Sequence, residues 1–158
     1  MLRTAGIAVE VGVMEAEARQ INAGFLKKAT TGLPYLTLKL ALSLDGKIAL
    51  GNGESQWITG PQARARGHLL RAQNDVLLTG AKTVLKDEPR FTVRIAGLED
   101  RSPSIAVVYD SERQNQEIVA WVQRERPDWT LLPGWDFAQH LRALADGGSE
   151  PENTVFVS

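Results

Sequence analysis

The 158-residue chain contains no cysteine, which excludes disulfides, thiolate metal sites and cysteine nucleophiles and makes cytoplasmic residence the default expectation. Histidine is nearly as scarce. His68 and His140 lie in stretches expected to be helical, without a ligand-spaced partner, so both read as packing or surface residues and no metal site is expected. An excess of charge is missing too. Eighteen basic residues face nineteen acidic ones, and a net charge of -1 gives no global field to attract nucleic acid or an anionic membrane. Any anion site must be local. Apolar runs such as Leu40 to Leu44 stop long before the roughly 18 residues of a membrane span, and no signal-like apolar core follows Met1. Gly51-Asn52-Gly53 lacks the third glycine of a Rossmann-type dinucleotide fingerprint and leads into no obvious helix.

What is present is the composition of one globular domain, 43% hydrophobic and 23% charged, with room for a fragment attached to it. Ile7, Val9 and Val11 alternate as in a short strand. Ala16, Ile21, Ala23, Phe25 and Leu26 then follow a helical spacing across Glu15 to Leu26. Lys27 to Leu33 reads as a linker, with a boundary near residue 32. In Tyr35 to Leu42 the four even-numbered leucines share one face of a strand and Tyr35, Thr37, Lys39 and Ala41 the other. Thr59-Gly60-Pro61-Gln62 resembles a helix start with Thr59 as cap and Gln62 closing a capping box, for a helix reaching about Asn74. Val76 to Thr79, Ile105 to Tyr109, Thr130 to Leu132 and Thr154 to Val157 are short apolar runs of the kind buried on both faces of a sheet. Helical patterns separate several of them, including Asp136 to Ala145 with a capping aspartate. The alternation predicts a three-layer α/β domain with a mostly parallel central sheet.

Residues with chemical potential crowd into Lys39 to Arg94, where Lys39, Asp45, Ser55, Trp57, Arg71, Thr83, Asp87, Arg90 and Arg94 fall near expected strand ends or loops. Arginine forks can grip a phosphate through paired hydrogen bonds, so several of them converging would suit a phosphorylated substrate. Each also has a plainer reading. Lys39 reaches either solvent along a half-covered sheet or a polar cavity, Asp45-Gly46 is first of all turn chemistry, Trp57 fits a core or lid aromatic, and any single arginine is ordinarily solvated surface.

The same block resembles the reductase domain of the bifunctional riboflavin-biosynthesis deaminase/reductase family. The match begins at Pro34-Tyr35, Leu38-Lys39-Leu40-Ala41 and Ser43-Leu44-Asp45-Gly46-Lys47 and runs through Gly53-Glu54-Ser55-Gln56-Trp57-Ile58-Thr59, its most specific segment. It continues in Leu70-Arg71-Ala72, Leu78-Thr79-Gly80, Thr83-Val84-Leu85 and Asp87-Glu88-Pro89-Arg90-Phe91-Thr92-Val93-Arg94. Gly6-Ile7 through Asn22-Ala23-Gly24-Phe25-Leu26 is similar to the tail of the preceding deaminase domain. The resemblance implies residues 1–32 as deaminase tail and linker, and 33–158 as the N-terminal part of a dihydrofolate-reductase-like domain, incomplete at its C-terminus. It implies NADPH-dependent reduction of the ribose of 5-amino-6-(5-phosphoribosylamino)uracil to the ribityl form, in a cytoplasmic homodimer. A related enzyme acting on another pyrimidine or pteridine, and an inactive nucleotide-binding fragment, are the competing readings.

Residue by residue, the resemblance places Ala41, Trp57, Thr83 and Asp87 against the cofactor and Ser55, Arg71, Phe91 and Arg94 against the substrate. Lys39 is the candidate for anchoring or polarising the sugar. Phe91 stands where the family commonly has an aliphatic residue. The zinc deaminase motif is absent, and the glycine-rich cofactor loop that would follow Thr154 to Val157 lies beyond Ser158, so weak NADPH binding and little turnover are expected of residues 1–158 alone.

Overall fold

The computed structural model describes residues 1–55, 58–110, 115–134, 136–146 and 153–157. Its centre is a sheet of five parallel strands: β1 (Tyr35–Lys39), β2 (Val76–Gly80), β3 (Ser104–Tyr109), β4 (Thr130–Pro133) and β5 (Asn153–Val157). Their order is β1-β5-β2-β3-β4, so β5 lies between the first two strands. Lys39 pairs in register with Val157, and Val157 with Thr79, which sets the carboxyl ends of three strands at one level.

The four apolar runs expected as strands all form, and for β2 and β3 the reason is visible in their burial. Leu77, Leu78, Thr79 and Val107 have no exposed surface, because helices cover both faces. On one face α4 (Ala81–Asp87) and α5 (Asn115–Glu125) close a core of Leu77, Ala81, Val84, Phe91, Ile105, Val107, Tyr109, Ile118, Val122 and Trp129. On the other, Val76, Leu78, Ala106, Val108 and Leu132 meet Leu144 of α6 (Phe137–Asp146). These are the three layers the alternation called for. Asp136 caps α6 as expected, its carboxylate accepting the Gln139 amide at 2.9 Å. His140 is a packing residue, 5% exposed, with Nε2 2.9 Å from the Gly134 carbonyl.

Three local expectations are corrected. Residues 7–11 form no strand; Ile7 and Val11 are 52% and 80% exposed, and no neighbouring strand is present to complete a ladder among the described residues. The single helix expected across 15–26 divides into α1 (Glu15–Ile21) and α2 (Ala23–Thr31) at Asn22, whose side-chain amide donates to the Ala18 carbonyl at 2.8 Å and competes with the helical ladder. Helix α3 (Pro61–Ala72) begins one residue later than the capping-box reading requires. Its N-cap is Gly60 without a side-chain cap bond, while the Thr59 carbonyl accepts Arg64 Nη1 at 2.7 Å.

Strand β1 is shorter than its pattern and is an edge. Its leucine face is the open one, with Leu36 and Leu38 at 41% and 60% exposure, whereas Thr37 and Lys39 are half-buried. The half-covered-sheet reading of Lys39 is thereby reversed.

Candidate functional site

Lys39 ends β1, and the carboxyl end of β2 turns through Gly80 directly into α4. Between these strand ends and the C-terminal half of α3 gathers a set of cations. Lys39 loses proton affinity first through burial and then through the charge of Arg71; Arg71 in turn is depressed by burial and by Arg94. His68, one turn before Arg71 on α3, is lowered by burial and then by Arg71 and Arg94. No ion pair joins Lys39, Arg71 or Arg94 to a carboxylate among the described residues. A cluster of cations with no carboxylate partner among the described residues is electrostatically favourable to an anion.

The arginines are built into position. The Arg71 guanidinium lies 5.6 Å from the Phe91 ring centroid, and its Nη1 donates to the Thr92 carbonyl at 3.3 Å. Arg94 is held by His68: its backbone amide is 3.2 Å from Nδ1 and its Nε 3.3 Å from Nε2. The loop that carries these contacts is strained at both ends of Pro89-Arg90, since Glu88 and Phe91 occupy the left-handed region at φ 42° and 52°. Phe91 itself is core, 6% exposed and stacked at 5.6 Å on Trp129. Towards a ligand it offers its backbone and its support of Arg71. Arg90 turns away, into a shallow polar groove shared with Trp121 and Arg124.

Thr83 and Asp87, expected against the cofactor, lie four residues apart on α4, so they share a helix face; Thr83 is half-buried and Asp87 exposed. Lys86 donates to the Gly53 carbonyl at 3.0 Å and so ties the glycine-rich loop to α4; Ser55, two residues further along, is exposed. Ala41 is half-buried just past β1. Trp57 lies outside the described residues. Asp45 stays with turn chemistry, accepting the Ser43 hydroxyl and pairing with Lys47. Two residues escaped the sequence reading: Lys86, which it did not single out, and His68, whose lack of a ligand-spaced partner pointed to packing or surface. Only the fold brings them to Gly53 and Arg94. Among the described residues no group of acidic residues and histidines is arranged to hold a metal ion, and no helix is long and apolar enough to cross a membrane.

Fold and site together define a three-layer α/β domain that gathers Lys39, Arg71, Arg94 and His68 close to one another. Residues 34–146 match the RibD C-terminal domain, and the chain belongs to this family. It is 44% identical over 138 residues to the riboflavin biosynthesis protein RibD of Escherichia coli, covering 81% of the chain and 38% of that protein. Among solved structures, a deaminase/5-amino-6-(5-phosphoribosylamino)uracil reductase of Thermotoga maritima superposes with a TM-score of 0.81 at 28% identity, over 98% of this chain and 47% of that one. Acinetobacter baumannii RibD gives 0.78 at 29% identity, over 99% and 48%. The chain thus spans less than half the length of these relatives. The dihydrofolate-reductase-like architecture expected from the sequence is the one observed.

Proposed function

We propose that the domain takes part in riboflavin biosynthesis by reducing the ribose of 5-amino-6-(5-phosphoribosylamino)uracil to its ribityl form with NADPH. The observation that carries this reading is the cluster in which Arg71 lies near both Lys39, at the end of β1, and Arg94, with no carboxylate paired to any of the three among the described residues. Arg71 and Arg94 take the substrate phosphate, Ser55 a substrate hydroxyl, and Phe91 holds Arg71 from below. Lys39, half-buried and less basic than a free lysine, anchors or polarises the opened sugar within reach of that charge.

The donor set fits a dinucleotide. Thr83 offers a hydroxyl and Asp87 a carboxylate from one helix face, suited to ribose hydroxyls or a carboxamide, and the family resemblance adds Ala41 and Trp57 as cofactor contacts. NADPH supplies the hydride when bound. The protein's part is to orient the sugar, exclude water and balance the phosphate charge, with no protein nucleophile. Residues 1–32 remain, on this reading, the tail of a deaminase domain; apart from Gly24, helices α1 and α2 contain no buried residue. A cytoplasmic homodimer belongs to the same proposal.

Substrate-dependent NADPH oxidation tests it, compared between the parent and Lys39→Met, Arg71→Ala and Arg94→Ala. The arginine variants should raise KM most and Lys39→Met should lower kcat. Full turnover in Lys39→Met would overturn its assignment, and unchanged KM in both arginine variants that of the phosphate site.

A further inference from the structure

His68 faces Arg94 through both ring nitrogens, and both partners are donors. A backbone N–H cannot accept, so Nδ1, 3.2 Å from the Arg94 amide, must carry its lone pair. In a neutral ring the proton then sits on Nε2. That leaves Nε2–H facing the Arg94 Nε–H at 3.3 Å, donor against donor, and the acceptor the ring has nearby, the Thr92 carbonyl, is shared with Arg71. An oxygen of an anion seated by Arg94 would satisfy both at once.

We infer that His68 is a neutral positioning residue of the anion site, pinning Arg94 through Nδ1 and turning Nε2–H toward the oxygen that Arg71 and Arg94 bind. The inference rests on the reading of those arginines as phosphate ligands and adds a third donor to them. The groups around the ring agree. Arg71 reaches it from its own helix, and Arg94 and the Thr92 carbonyl from the loop; the two guanidinium charges and burial hold His68 below the usual histidine range, which keeps it neutral at pH 7. Thr92 is shared, since its carbonyl also takes Arg71, so ring, loop and both arginines form one connected unit.

The role differs from packing in having a tautomer and a ligand response. Sulfate is a suitable probe because its charge is constant over the pH range of histidine. In the 15N-labelled chain near pH 7.5, His68 should appear as the Nε2–H tautomer with an unprotonated Nδ1, and its Nε2 resonance should shift saturably with sulfate. His140 is the internal control. His68→Ala should weaken sulfate binding about tenfold, the loss expected for one hydrogen bond to a charged group. His68→Asn keeps an acceptor near the Nδ1 position without the Nε2 donor and should fall between Ala and the parent. A Nδ1–H tautomer, or an Nε2 resonance indifferent to sulfate in a chain that binds it, overturns the inference. So does parental affinity in His68→Ala when Arg94→Ala has lost it. Unchanged sulfate affinity in Arg71→Ala and Arg94→Ala would instead refute the phosphate site itself.

Discussion

Replacing Phe91 by leucine separates what the ring does from what its bulk does. The side chain is 6% exposed, so leucine would keep most of the apolar burial while losing two contacts particular to the ring. The tilted pair with Trp129, centroids 5.6 Å apart at 38°, contributes about 0.5–1.5 kcal/mol beyond burial. The Arg71 guanidinium at 5.6 Å adds about 0.5–1 kcal/mol. Phe91→Leu should therefore destabilise by about 1–2.5 kcal/mol, against about 3–5 kcal/mol for Phe91→Ala, which also leaves a cavity. The backbone gives an independent check: at φ 52° a Cβ is strained, so Phe91→Gly should be no less stable than Phe91→Ala. Urea unfolding followed by tryptophan fluorescence measures all three, with Trp129 as a reporter beside the substitution. If Phe91→Leu matched the parent within about 0.3 kcal/mol at unchanged m-value, the ring contacts would contribute nothing and the account of how Arg71 is held would fail.

Other perturbations address separate parts of the structure. Leu77→Ala, at a position with no exposed surface, should cost about 2–5 kcal/mol in the same assay. Thr79 is fully buried and its hydroxyl has no hydrogen-bond partner among the described residues, so the isosteric Thr79→Val should stabilise by about 1 kcal/mol; a loss of stability would mean that the hydroxyl is satisfied. His68 binds its proton less tightly folded than unfolded, so its contribution to stability is present above the unfolded pKa of about 6.5 and is lost as pH falls through the lower folded value. Between those values the stability of His68→Gln should fall less steeply with acid than that of the parent, as midpoints at successive pH values would show. Lys86→Met removes the tie to the Gly53 carbonyl and should weaken NADPH binding while leaving sulfate affinity unchanged, by fluorescence titration.

The sheet was legible because strands buried on both faces leave a pattern that local sequence carries by itself, as in Val76 to Thr79 and Ile105 to Tyr109. Where the expectations failed, a competing interaction decided. Asn22 breaks a helix that its apolar spacing supports, and Ile7 to Val11 alternate like a strand without a partner strand. Arginines suited to phosphate could be picked out by their chemistry, but not the contacts that hold them. Phe91 under Arg71 and His68 against Arg94 join residues 20 and 26 positions apart, and no local periodicity encodes such a meeting. The left-handed turns at Glu88 and Phe91 were equally hidden, since neither is glycine.

The place of β5 bears on the order in which this sheet can assemble. The strand is the last one described, yet it supplies the partner of the first, joining positions more than a hundred residues apart. During synthesis β2, β3 and β4 can pair as they emerge, but β1 must wait, unpaired and with its leucines open, until residues 153–157 leave the ribosome. Closure of the sheet, and with it the alignment of Lys39 with the end of β2, is then a late event. A ribosome-stalled chain ending before Asn153 should hold a protected β2-β3-β4 unit while β1 remains open to proteases.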